Sequence, residues 1–407
     1  MRKFTALVLA IAVLAFAGAA AAQERILIGV NMELTGYSGD PGTEQLRGIL
    51  VAHRLAPTVS ANGTTYEIQI EICDNQTQRE ESANCATRLA GQGVVGVLGG
   101  YSSSMSLAAA PIMQDQGIVQ ISTGGTNPAV TQVGEYIFRI PFTDDYQGHA
   151  LAGYAYDVLG ARRAVVFRQS DDDYSVGLAR VFTATFERLG GTVNVQSFNQ
   201  ATVDFSAQLN NARRFNPDVL VTTAFCPLAG PLARQSRAAG FTQPWIGGDS
   251  LDSLTCVELG GSGFGGVHFT SFPDLTQLEP DALERAAAVE ELYKTLYPES
   301  RGFGGVTLAG SDAYGVLREA IERALKAGAS PRQLPAFRAA VQEALASLAD
   351  YPGVTGMLTF AGTDGTPASR SIGLLAIENV AANGSYDRVA KGYFVIEPSG
   401  TVYYPGE

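Results

Sequence analysis

The sequence predicts an α/β fold of two similar lobes, each an open and mostly parallel sheet with helices on both faces. Three observations carry this. Short apolar runs alternate with helical stretches, as strand–crossover–strand units require. The runs are apolar at nearly every position, as in strands covered on both faces. The rhythm also restarts after Pro141 over a comparable length, although no sequence repeat accompanies it.

The elements follow in order. Arg2 and Lys3 precede an apolar stretch from Phe4 to about Phe16 and the run Ala19-Ala20-Ala21-Ala22. Residues 1–22 therefore read as an export signal cut before Gln23. A membrane anchor fits less well, because the apolar core is short for a span. No cysteine near the cut suggests a lipid anchor. Strands are expected at 26–30, 66–72, 94–98 and 118–122, with helices at 45–55, 78–90 and from Ser104 to Asp115. The second round has a helix at 143–159, then strands at 164–167, 193–198, 219–222 and 245–247. Helices at 176–189, 205–215 and 228–239 separate them. Three further helices follow at 282–297, 312–326 and 335–348. The middle one carries an apolar stripe of Val316, Leu317, Ala320, Ile321, Ala324 and Leu325. Strands at 356–360, 372–378 and 392–396 close the chain, with turns at 363–365 and 383–384.

Composition narrows the function. Of 407 residues, 46% are hydrophobic and 17% charged, enough to build real cores. Net charge is −12, and removing Arg2 and Lys3 with the signal makes it −14. Nucleic acid is not an expected partner of so acidic a body. Four cysteines, Cys73, Cys85, Cys226 and Cys256, allow three pairings, and export favours disulfides. A metal site is not expected: there is no C-x-x-C, and His53, His149 and His268 are far apart. Nor is an enzyme, for want of a G-x-S-x-G elbow. The glycine clusters at 260–266 and 302–305 lack the strand-to-helix setting of a dinucleotide loop and read as surface loops, so no cofactor is expected.

Seven segments now point to a family: ILIGVNMELTG, VVGVLGGYSSS, IMQDQGIVQISTGGTNPAVT, the run from YIFRIPF to LARVF at 136–182, WIGGDSL, AGSDAYGVLREAIERAL and GVTGMLTFAGTDG. In this order they resemble the type I periplasmic solute-binding proteins of ABC importers, in the branched-chain amino-acid (Leu/Ile/Val) branch. The resemblance implies two Rossmann-like lobes joined by a hinge of three crossings, near 139–142, 271–273 and 351–355. Lobe one would hold 23–140 plus 273–352, and lobe two 141–272 plus 353–407. The ligand cleft would lie between them at the carboxyl ends of strands, where open α/β sheets generally bind ligands. It also implies the pairing Cys73–Cys85 and Cys226–Cys256, each within one lobe, since a bridge between lobes would oppose hinge motion. The expected protein is a monomeric periplasmic subunit that captures a small amino acid and delivers it to a membrane permease. A sensor subunit, or a binder of another small carboxylate or amide, is the alternative.

Candidate ligand residues come from the turns after strands. Gly99-Gly100-Tyr101-Ser102-Ser103-Ser104 opens a helix, whose N-terminus favours an anion. Serine there also serves as a plain cap. The resemblance puts a carboxylate contact at Ser103, with Ser102 as the one-residue alternative, and Tyr101 flanking. Gly124 lets a ligand approach the backbone, and Thr126 offers a hydroxyl. Tyr174 and Phe225 match cleft-lining aromatics of the family. Asp249 matches an acidic position that pairs the ligand ammonium, as a charge-assisted hydrogen bond would. Asp171–Asp173 reads as a solvated loop without a ligand role. Ser311 stands where the family carries Tyr, and Tyr37 and Ser38 are further candidates near the side-chain subsite.

Overall fold

A computed structural model describes residues 24–273, 275–368, 370–381, 386–397 and 400–406. The export signal and the turn expected at 383–384 lie outside these residues.

The first sheet is built from β1 (Glu24–Met32), β2 (Thr58–Ala61), β3 (Thr64–Asp74), β4 (Gly96–Leu98), β5 (Val119–Ser122) and β6 (Ile137–Arg139). Their spatial order is β2-β3-β1-β4-β5-β6, with only the β2–β3 pair antiparallel. Helices α1 (Gly39–Leu55), α2 (Arg79–Gly91) and α3 (Ser103–Asp115) connect them. Strand β2 was not anticipated, yet its signal is present: Asn62-Gly63 takes positive φ at both residues, as a tight hairpin needs.

The chain then enters a second unit through α4 (Asp144–Gly153), which runs into a π turn at Tyr154–Val158. There follow β7 (Arg163–Gln169), α5 (Asp173–Arg188), β8 (Thr192–Phe198), α6 (Ser206–Phe215), β9 (Val219–Thr222), α7 (Cys226–Ala238), β10 (Trp245–Gly247), α8 (Leu254–Gly260) and β11 (Val267–Ser271). It returns to cover the first sheet with α9 (Pro280–Leu296), α10 (Gly305–Lys326) and α11 (Leu334–Ala346). A small ribbon of β12 (Tyr351–Gly353) and β13 (Gly356–Leu358) comes next, followed by β14 (Ser371–Glu378), β15 (Asp387–Glu397) and β16 (Gly400–Pro405). The second sheet has order β16-β15-β14-β11-β10-β9-β7-β8, parallel from β8 to β11 and antiparallel beyond. The ribbon packs on α9 and α10. The chain therefore joins the second sheet only at Ser371, later than a crossing at 351–355 or a lobe boundary at 352/353.

Helix α10 begins at Gly305, seven residues before the expected 312. The glycines near its start are packing positions rather than loop signals. A Cβ on Gly310 would sit 2.2 Å from the Gln45 carbonyl oxygen, and one on Gly48 1.9 Å from that of Thr307. Glycine at both points lets α1 and α10 cross in backbone contact, and the Ser311 hydroxyl donates to the Gly48 carbonyl at 2.9 Å. Ser311 thus belongs to this crossing. The cluster at 260–266 is likewise partly interior, with Phe264 buried under α7.

Both disulfides form as expected: Cys73–Cys85 ties β3 to α2, and Cys226–Cys256 ties α7 to α8. Two of the interlobe crossings meet where the Phe142 and Phe272 rings pack at 5.8 Å. Among the described residues no helix is long and apolar enough to cross a membrane.

Candidate ligand cleft

The turns after β4 and β5 in lobe one face those after β9 and β10 in lobe two, across a narrow cavity of about 10 Å³. Tyr101, Ser102, Ser103 and Gly124 line it from one side. Tyr174, Phe225, Asp249 and Ser250 line it from the other. Seven of the eight expected ligand residues therefore converge. Thr126 does not line the cavity; its buried hydroxyl lies beside the Asp144 carboxylate, and neither group finds a regular hydrogen bond. Ser250 is an addition, tethered through its hydroxyl to the Ala224 carbonyl at 3.0 Å.

The lobe-one wall is organised by a residue that sequence reading passed over. Glu33 follows β1 and is fully buried. Its carboxylate accepts from the Tyr101 N–H (2.9 Å), the Ser102 N–H (2.8 Å) and the Ser102 hydroxyl (2.7 Å). Burial raises its pKa, and these three bonds oppose the rise. Ser102 is thus committed as the cap of α3 and as a Glu33 partner. Ser103 remains the more available hydroxyl, accepting the Asn127 N–H at 3.1 Å.

A second unanticipated residue holds the adjoining loop. Arg139, at the end of β6, is fully buried. It donates to the carbonyls of Gly125 (2.8 Å), Asn127 (2.9 Å) and Pro128 (3.1 Å), and to the Thr131 hydroxyl (3.1 Å). Burial lowers its pKa to about 10, against the attraction of Asp144. Gly124 is sterically required in this loop, since a Cβ would lie 2.5 Å from the Tyr101 carbonyl oxygen.

Asp249 anchors the lobe-two wall. It is 4% exposed, and its Oδ1 accepts from Gln147 Nε2 at 2.7 Å. Burial pushes its pKa up to about 6, while Gln147 and the adjacent Tyr174 phenol hold it down. Nearby Asp144 is also pushed up, first by burial and then by the Asp249 charge. Phe225 forms the centre of an aromatic cluster, with ring centroids 5.5 Å from Tyr174, 6.2 Å from Tyr101 and 5.5 Å from Tyr37. Tyr37 therefore backs the cavity wall. Ser38 is buried outside the cavity, its N–H bonded to the Thr77 hydroxyl at 3.3 Å.

The acidic run at 171–173 requires a correction. Asp172 is buried, accepts the Ser175 N–H as cap of α5 (2.8 Å), and accepts the Ser104 hydroxyl from lobe one (2.8 Å). Asp173 pairs with Arg79 of lobe one at 2.6 Å. On the opposite side of the cleft, Asp40 of α1 accepts from the Ser253 and Thr255 hydroxyls. The lobes are thus closed on each other. Among the described residues no group of His, Cys, Asp and Glu is arranged to hold a metal ion.

Two open α/β lobes closing on a small internal cavity define a solute-binding protein of the cleft type. The chain belongs to the periplasmic binding protein family, whose model matches residues 25–380; its fold is the type I form, shared with the Leu/Ile/Val-binding branch. It is 30% identical over 279 residues to a Leu/Ile/Val-binding protein homolog of Brucella abortus, covering 67% of this chain and 74% of that protein. A Leu/Ile/Val-binding protein of Rhizobium johnstonii is 27% identical over 89% of this chain and 94% of its own. The leucine-binding protein LivK of Thermotoga maritima superposes with a TM-score of 0.80 at 33% identity, covering 92% of this chain and 99% of that one. LivJ of Streptococcus pneumoniae, solved with isoleucine, shares the fold with a TM-score of 0.76 at 23% identity, covering 90% of this chain and 100% of that one.

Proposed function

We propose that this chain is the periplasmic substrate-binding subunit of an ABC importer, which captures a small amino acid by lobe closure and delivers it to the membrane permease. The observation that carries the reading is Asp249, a buried carboxylate facing Ser103 across a cavity built only when the lobes meet. An ammonium would pair with Asp249, and the Ser103 hydroxyl and N–H would receive the ligand's oxygen. The rings of Tyr101, Tyr174 and Phe225 would exclude water and strengthen the ion pair. Ligand binding of this kind needs no bond chemistry, in keeping with a family of binding proteins. The relatives' names support an amino acid as the solute. In this reading residues 1–22 direct export and are removed, and the mature chain acts as a monomer.

The test is a thermal-shift screen of the mature protein against the twenty L-amino acids, followed by calorimetry on the hits. A ligand that binds only the folded state raises the midpoint by mass action. One-to-one binding of an amino acid supports the reading. A response confined to compounds without an amine would overturn it.

A further inference from the structure

We propose that this cleft selects its ligand by the ammonium group alone, and that Glu33 makes the ligand's carboxylate dispensable. The ligand class is then α-amino compounds of net charge zero or +1, with amides accepted as readily as free acids. This rests on the amino-acid reading above and narrows it.

Three observations converge. First, three of the donors that lead into α3 are already taken. The Tyr101 N–H, the Ser102 N–H and the Ser102 hydroxyl all go to Glu33, within 2.9 Å. A helix N-terminus has only a few free N–H groups, and here the protein's own carboxylate fills that place. What remains at the helix start is the N–H groups of Ser103 and Ser104, which have no acceptor within the helix, and the Ser103 hydroxyl hydrogen. These suit a neutral carbonyl oxygen as well as an anion.

Second, among the described residues no Lys, Arg or His lines the cavity. Arg139, the buried cation that holds the adjoining loop, directs its Nη groups to loop carbonyls and Thr131. The charges flanking the cavity are acidic: Glu33 behind the lobe-one wall and Asp249 in the lobe-two wall. An anionic ligand would meet Glu33 through a poorly screened interior.

Third, the remaining surface suits a cation. The ring centroids of Tyr101 and Tyr174 lie 6.2 and 5.5 Å from that of Phe225, and all three rings line the cavity together with Asp249. Aromatic faces joined by a carboxylate attract ammonium groups, and more strongly when water is excluded.

The experiment is calorimetry at neutral pH with two matched pairs, L-alanine against L-alaninamide and L-leucine against L-leucinamide. For whichever pair binds, the amide is expected within about threefold of the acid or tighter, because no cation awaits the carboxylate. Glu33→Gln is expected to shift the acid-to-amide affinity ratio toward the acid by about tenfold. An acid that binds while its amide is weaker by about a hundredfold would overturn the proposal and leave the amino-acid reading standing. If none of the four compounds and no other amino acid binds, both fall. The wild-type ratio decides the matter even if the Gln variant fails to fold.

Discussion

Ser104 Oγ, in the first turn of a lobe-one helix, donates to Asp172 Oδ2 of lobe two at 2.8 Å and accepts the Asp173 N–H at 3.0 Å. Arg79 reaches the same place, 3.1 Å from that hydroxyl and 2.6 Å from Asp173. These contacts exist only between closed lobes, so they bias the open–closed equilibrium and with it the affinity. Ser104→Ala should weaken ligand binding about ten- to a hundredfold, the worth of one hydrogen bond to a charged partner. Its unfolding midpoint without ligand should move little. Arg79→Ala should do less, because that pair is partly exposed. Calorimetry and the radius of gyration by small-angle scattering read these effects.

The buried acids set opposing pH responses. Asp249 and Asp172 are both pushed up to about 6 by burial, from 3.8. Between those values the folded chain holds protons that the unfolded chain has released, so this part of the stability rises as pH falls from about 7 toward 4. Its size is on the order of 1–3 kcal/mol per group. Ligand binding responds the other way: an ammonium needs ionised Asp249, so affinity should drop about tenfold per pH unit below 6. Asp249→Asn should be more stable than wild type at pH 7 and lose part of the stability slope. Thermal unfolding and calorimetry from pH 4.5 to 8 would show both.

The disulfides should stabilise unequally. The bridge Cys226–Cys256 closes a separation of 30 residues and Cys73–Cys85 one of 12. Chain entropy alone assigns about 3.5 and about 3 kcal/mol. Urea unfolding of the two double-serine variants should give losses in that order. The lobe-two variant should also lose affinity, because its bridge starts beside Phe225 and holds the helix that follows Asp249 and Ser250.

Gly124→Ala should abolish binding while leaving most secondary structure intact. Its new methyl would meet the Tyr101 carbonyl oxygen, which is backbone and cannot swing away. Circular dichroism with a ligand titration separates the two effects.

Much of this was legible in the chain itself. Turns that follow apolar strands drew attention to 99–104 and 122–128, since an open α/β sheet puts those turns on one edge, while the family resemblance supplied Ser103, Tyr174, Phe225 and Asp249. What stayed hidden was long-range. Glu33 meets partners 68 and 69 residues away, and no local pattern marks a strand-end glutamate as buried. Arg139 likewise looks like an ordinary crossing residue until its loop folds over it. Asp172 was misjudged because three consecutive acids usually face water; only the opposing lobe shows that one of them is enclosed. The start of α10 was missed because glycine signals a loop locally, and the reason for it, contact with α1, lies far away in sequence.

The most direct test of the account is the affinity of Asp249→Ala for the amino acid that wild type binds best, measured by calorimetry at pH 7.5. Truncation leaves the ligand's ammonium buried without its partner, so the account predicts a loss of about 3 kcal/mol, roughly a hundredfold or more. Affinity within a factor of about two of wild type, in a variant that remains folded, would contradict it.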